Sequence, residues 1–167
     1  MSLSNLVGLL QQYAGSSASN PPPNAQQDFQ KVAQAAPQEH LASGLAEAFR
    51  SNQTPAFPEM LANLFSQSNG QQRAGLLSQL MGSVGPLAGS GIASSLGGLF
   101  QSGGNISPQQ AEQVTPDQVR QLADHASQKN PSIIDQASQF YAQHPTVVQG
   151  LGAGALALIM SHISKKV

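Results

Sequence analysis

The sequence predicts an all-α protein, a compact bundle of short helices with Gly/Ala-rich packing faces and an N-terminal helical arm. Three observations predict it. Apolar residues recur at three- and four-residue spacing through most of the chain. Val, Ile and Thr are sparse and no run alternates apolar and polar residues for long, so strand signals are nearly absent. Ser107-Pro108, Thr115-Pro116 and Asn130-Pro131 each place a capping side chain before a proline that suits the first helical position.

Taken in order, Leu3, Leu6, Val7, Leu10 and Tyr13 fall on one face of a short helix within residues 1–15. Residues 16–24, rich in Ser and Pro and including Pro21, Pro22 and Pro23, read as a linker. The first helix is therefore an uncharged amphipathic arm on a Pro-rich tether. Such an arm can fold back on its own domain, dock on a neighbouring copy or lie on a membrane, and folding back is the default reading. Residues 25–167 are expected to form a single helical domain. Asn24 can cap a helix over 25–36, and Pro37 can start one presenting Leu41, Leu45, Ala48 and Phe49. Thr54-Pro55, then Phe57, Met60, Leu61, Leu64 and Phe65, with Gly70 as a stop, describe one amphipathic helix with both ends marked. A helix over 71–83 carries Leu77, Leu80, Met81 and Val84. Pro86 opens a glycine-studded segment to Phe100, where each glycine costs up to about 1 kcal/mol of helix propensity relative to Ala.

The Gly-rich loop at 101–105 joins the two halves, 25–100 and 106–167. In the second, Gln110 and Gln118 complete capping boxes with Ser107 and Thr115. Val119, Leu122, Ala123 and Ala126 form one apolar face, and Ile133, Ile134, Ala137, Phe140 and Tyr141 another. Pro145 starts the final helix, in which Gly150 and Gly154 read as a GxxxG pair, with Ala153 and Ala157 on a neighbouring ridge.

Composition narrows the function classes. Only 9% of residues are charged, against roughly 25% in ordinary domains. The 38 residues between Arg73 and Glu112 contain no charge at all, nor does the stretch from Thr146 to Ser164. Glutamine, serine and asparagine supply the polarity instead. A net charge of -1 opposes self-association only weakly. The seven basic residues are scattered, which excludes the basic stripe that nucleic acid needs. There is no cysteine, so disulfides and thiol chemistry are excluded. His40, His125, His144 and His162 are isolated from one another and from any Glu-x-x-His pattern, and no metal or cofactor is implied. Asp117 with Arg120, and Arg120 with Asp124, have the spacing of surface ion pairs. No G-x-S-x-G elbow, dinucleotide fingerprint or P-loop occurs, so the chain is read as non-enzymatic.

The stretches AFRSNQTPAFPEMLANLF (Ala48 to Phe65), SNGQQRAGLLSQL (Ser68 to Leu80) and SQFYAQHP (Ser138 to Pro145) resemble uncharacterised hypothetical proteins of bacteria. The resemblance covers about half the chain and implies a bacterial source; the location, cytoplasmic or peripheral to a membrane, is left open by the sequence. It carries no activity, site or ligand.

The leading expectation is a structural or interaction protein that self-associates through uncharged small-residue helices. Its partner is another copy of itself, met through Leu3, Leu6, Val7, Leu10, Tyr13, Gly150, Gly154 and Ala157. A second expectation is a membrane-associated or membrane-inserting protein using residues 82–100 and 146–163, with lipid as partner. A third is a carrier whose bundle encloses a hydrophobic ligand among Met60, Leu64, Phe65, Leu80 and Phe140.

Overall fold

The computed structural model describes residues 2–84, 96–97 and 105–167. Among these residues there are ten α-helices, one 3-10 turn and no strand, so the all-α fold class holds. Most of the helix expected over 86–100, and the loop at 101–105 except Asn105, lie outside the described residues. Packing divides the chain into two compact units, Met1–Ala56 with Ser138–Val167, and Phe57–Ala137. This division cuts across the halves 25–100 and 106–167 read from the sequence.

The first unit contains α1 (Leu3–Gln11), α2 (Ala25–Ala35) and α3 (Gln38–Arg50) from the beginning of the chain. Its C-terminal elements are α9 (Pro145–Val148), a 3-10 turn (Gln149–Leu151) and α10 (Ala153–Ser164). Helix α10 is its centre and packs against α1, α2 and α3. Leu156, Ala157, Met160 and Ile163 are wholly buried, which explains a helix that is apolar nearly all round. The facing side chains are the expected ones on α3, namely Leu41, Leu45, Ala48 and Phe49, all buried. Gly44 on α3 is the point of closest approach. A Cβ there would stand 2.9 Å from both the Cγ2 and the backbone oxygen of Ile159. Glycine is what lets the two helix backbones come this near.

The final helix differs from the expected one. Pro145 does start a helix, with His144 at its N-cap, but that helix ends at Val148 and passes into the 3-10 turn. Gly152 then takes φ +91°, a conformation open to glycine and strained for other residues. The axis turns by 120° between Pro145–Leu151 and Ala153–Ser164.

The second unit is built on α4 (Phe57–Gln67), α5 (Gly70–Val84), α6 (Pro108–Glu112) and α7 (Pro116–Lys129). Helix α8 (Ile133–Ala142) contains the division between the units. Helix α4 packs against α7 and α5, and α5 also packs against α6 and α7. Met60, Leu61, Leu64, Phe65, Leu76, Leu77, Leu80, Val119 and Leu122 are buried there, as their periodicity requires. Both expected capping boxes form. Thr115 Oγ1 accepts from the Gln118 backbone N–H at 3.2 Å while Gln118 Oε1 accepts from the Thr115 N–H at 2.9 Å. The Ser107 and Gln110 pair repeats this at 3.2 and 3.0 Å.

Three local expectations are corrected. Gly70 does not end a helix but begins α5, because Asn69 and Gln72 form a third reciprocal cap, with Asn69 Oδ1 accepting from the Gln72 N–H at 2.9 Å. Thr54 donates its hydroxyl to Ala48 and Ser51 carbonyls, so it closes the end of α3 instead of opening α4. Pro131 is not the first residue of α8, since Asn130 Oδ1 accepts from the Ser132 N–H at 3.2 Å in a local turn and α8 begins at Ile133. Asn24 precedes α2 as expected, without a side-chain cap bond.

Arg73 fastens the α4–α5 corner. Its Nε donates to the carbonyls of Phe65 and Ser68, each at 3.0 Å, and an Nη donates to Ser66 O at 3.0 Å. The guanidinium also lies over the Phe65 ring, 5.0 Å from its centroid. A cation therefore sits on the carbonyls that end α4, where the helix dipole favours positive charge. Arg73→Met is expected to cost about 1–2 kcal/mol in urea unfolding, from lost charge-assisted bonds to these carbonyls. An unchanged midpoint would show the cap to be inert.

Candidate functional site

The arm is the element that the sequence analysis singled out for partner contact. Helix α1 packs against α2 and α10 of its own unit. Leu6, Leu10 and Tyr13 are buried, Val7 is half-buried, and Leu3 is 71% exposed, so the five residues do not share one environment. The break between Leu3 and Leu6 follows from position. Leu3 is the first residue of the helix, with no preceding turn to lay it over the docking face.

Tyr13 is more than an apolar anchor. Its hydroxyl donates to Asp28 Oδ2 on α2 at 2.7 Å, in a buried bond. Lys31 Nζ, one turn along α2, reaches the other carboxylate oxygen at 3.2 Å. Burial first, and then the hydrogen bond to Asp28 and its charge, push the Tyr13 phenol well above its ordinary range. This pair latches the end of the arm to the helix behind it. The tether is held separately. Ala18 N–H donates to Gln53 Oε1 at 3.3 Å, and the Ala18 carbonyl lies so near Gly154 that a Cβ on Gly154 would be 2.6 Å from it.

Gly150 and Gly154 are placed on different segments, Gly150 exposed in the 3-10 turn and Gly154 in the first turn of α10. The reversal at Gly152 prevents them from forming a GxxxG face. Gly154 spends its small size on the tether within its own chain, and Ala157 is buried in the core.

Sequence reasoning missed a polar contact between α3 and α10. Ser43 Oγ and His162 Nε2 are hydrogen-bonded at 2.9 Å, the direction following the ring tautomer. Burial first holds the His162 pKa below its ordinary value, opposed by Glu47 and assisted by Lys166 and Lys165. Serine beside a neutral histidine is the beginning of nucleophilic chemistry. Ser43 lies inside α3, however, where the surrounding amides bond to carbonyls one turn back and are not aimed at an oxyanion. The pair acts as a polar clasp between two core helices.

His144 is likewise lowered by burial, its ring 5.1 Å from that of Phe140. For a histidine with a depressed folded-state pKa, stability is fully present above the unfolded value, about 6.5, and is lost as pH falls below it. For Tyr13, with a raised pKa, stability is present below about 10 and lost above it. The first unit is therefore expected to lose stability at both ends, below pH 6.5 through His144 and His162 and above pH 10 through Tyr13. Urea midpoints against pH check this. In Tyr13→Phe the alkaline loss should shrink while the acid loss remains, and an unchanged alkaline limb would contradict the latch.

Two further hollows lie among the described residues. The apolar cavity among Phe29, Leu41, Leu45, Tyr141, Ala142, Pro145, Val148 and Ile159 has a volume of about 10 Å³, the room of about one water. Met60, Leu64, Phe65 and Leu80 are core residues of the second unit, whereas Phe140 belongs to the first and is half-buried. In the second unit an open groove of about 240 Å³ is lined by Pro58, Arg120, Gln121 and Asp124. Arg120 pairs there with Asp117 at 3.5 Å, as the spacing predicts, in a solvated contact worth little. Among the described residues no group of three acidic or histidine side chains could hold a metal ion. No single described helix is long and apolar enough to cross a membrane, and the one pair that is long enough bends by 120°.

No family model, curated protein or solved structure matches the chain.

Proposed function

We propose that the protein is a non-enzymatic helical module that self-associates. The observation that carries this reading is the build of the arm: a separate apolar helix, joined by a non-helical tether, docked through three buried side chains and one buried hydrogen bond. An element of this kind carries adhesive surface of its own, and the seat it fills on α2 and α10 is present on every copy. The rest of the surface supports the reading. It is polar mainly through neutral side chains, and the net charge of -1 sets up almost no repulsion between copies. Sedimentation equilibrium of the full chain tests it. The weight-average mass should rise above 17.3 kDa with concentration and follow a monomer–oligomer equilibrium. A single species of monomer mass up to millimolar concentration would remove the proposal.

A further inference from the structure

We infer that copies join by exchanging α1, the arm of one chain docking on α2 and α10 of another in place of that chain's own arm. The inference rests on the self-association just proposed and supplies its mechanism. The helix packing and the buried hydrogen bond that hold the arm join α1 and its immediate extension to elements beyond the tether. Such contacts are identical in cis and in trans, so exchange creates no new interface and breaks none of the old one. The second copy needs no further complementarity. Its recognition surface is the seat already filled by Leu6, Leu10 and Tyr13, with Asp28 waiting for the phenol.

The hinge can be located. Ala18 is anchored by Gln53 and by its close approach to Gly154, so the arm and the tether to Ala18 move together. The residues between Ala18 and α2 make a turn closed by the Ala25 N–H to the Pro22 carbonyl at 3.2 Å. A second turn, closed by the Asn20 N–H to the Ser17 carbonyl at 3.3 Å, lies just before it, so opening the hinge gives up at most two weak backbone bonds. The three consecutive prolines favour an extended polyproline form, which carries the arm outward at little conformational cost. The balance between the two forms is then set by effective concentration. A short tether presents its own arm at millimolar concentration, so exchange competes only as the protein approaches that range. Anything that keeps the arm from reaching its own seat moves the exchange to lower concentration.

The test uses the full chain, with half the molecules carbon-13 labelled and half unlabelled, mixed by unfolding and refolding together at high concentration. Isotope-filtered NOE spectra of the dimer should connect Leu6, Leu10 and Tyr13 of one copy to α2 and α10 of the other. A second sample lacks Pro21–Pro23. That variant should dimerise at least tenfold more tightly, because its shortened tether hinders docking in cis and leaves docking in trans intact. A dimer whose α1 contacts are all within one chain overturns exchange and leaves self-association standing. Absence of a dimer in both samples overturns the two together, and a shortened chain that associates no better than the natural one contradicts the hinge.

Discussion

Gly44→Val is expected to lower the stability of the first unit by about 3 kcal/mol, the upper part of the ordinary range for overpacking a core. The smallest added atom already fails to fit. A Cβ at this position would lie 2.9 Å from Ile159 Cγ2, which could rotate away, and 2.9 Å from Ile159 O, which belongs to the backbone of α10 and cannot. Helix α10 would have to move off α3, opening the contacts of Leu41, Leu45 and Phe49. Gly8→Ala is the internal control. Its Cβ would have nothing within 4 Å, and the change should stabilise by up to about 1 kcal/mol through helix propensity. Urea midpoints read both, and Gly44→Val with the natural midpoint would mean that α3 and α10 do not cross there.

Leu10→Ala should have a comparable effect with a different signature. Removing a wholly buried leucine costs about 2–5 kcal/mol when the surroundings cannot collapse. Here the loss has a ceiling, since once it exceeds the docking energy of the arm the arm simply leaves. Global unfolding then changes less than local order. Amide exchange should become fast throughout α1 while α3 and α10 stay protected, and proteases should cut within residues 12–24. Protection of α1 equal to that of the natural chain would show that Leu10 does not hold the arm. The arm's freedom to leave is also what exchange between copies requires.

Much of the fold was legible because helix ends are local chemistry. Ser107 with Gln110 and Thr115 with Gln118 sit three residues apart, and spacing alone specifies their reciprocal bonds. The same signal stands at Asn69 and Gln72, where the intervening Gly70 reads by itself as a helix stop. Apolar periodicity located the buried faces of α3, α4 and α7 for the same local reason.

What spacing does not encode is the partner across the core. Gly44 reads in sequence only as a weak spot in α3, and its purpose appears when Ile159 is brought against it. Gly150 and Gly154 have the spacing of a packing motif, but a pattern of small residues says nothing about φ, and the turn at Gly152 separates them. Tyr13 was read by its ring and not by its hydroxyl. Nothing in the intervening tether announces that the chain doubles back to set that hydroxyl on Asp28. Ser43 and His162 could not be paired without the fold.

The central claim is that this chain associates with itself. Absolute molar mass by light scattering after size-exclusion chromatography, in detergent-free buffer from micromolar to millimolar loading, tests it most directly. The account predicts a mass near 17.3 kDa at the lowest loading that rises toward twice that value at the highest. A mass fixed at the monomer value throughout would contradict it, and would assign the docking of α1 and the small residues at Gly44 and Gly154 to internal packing alone.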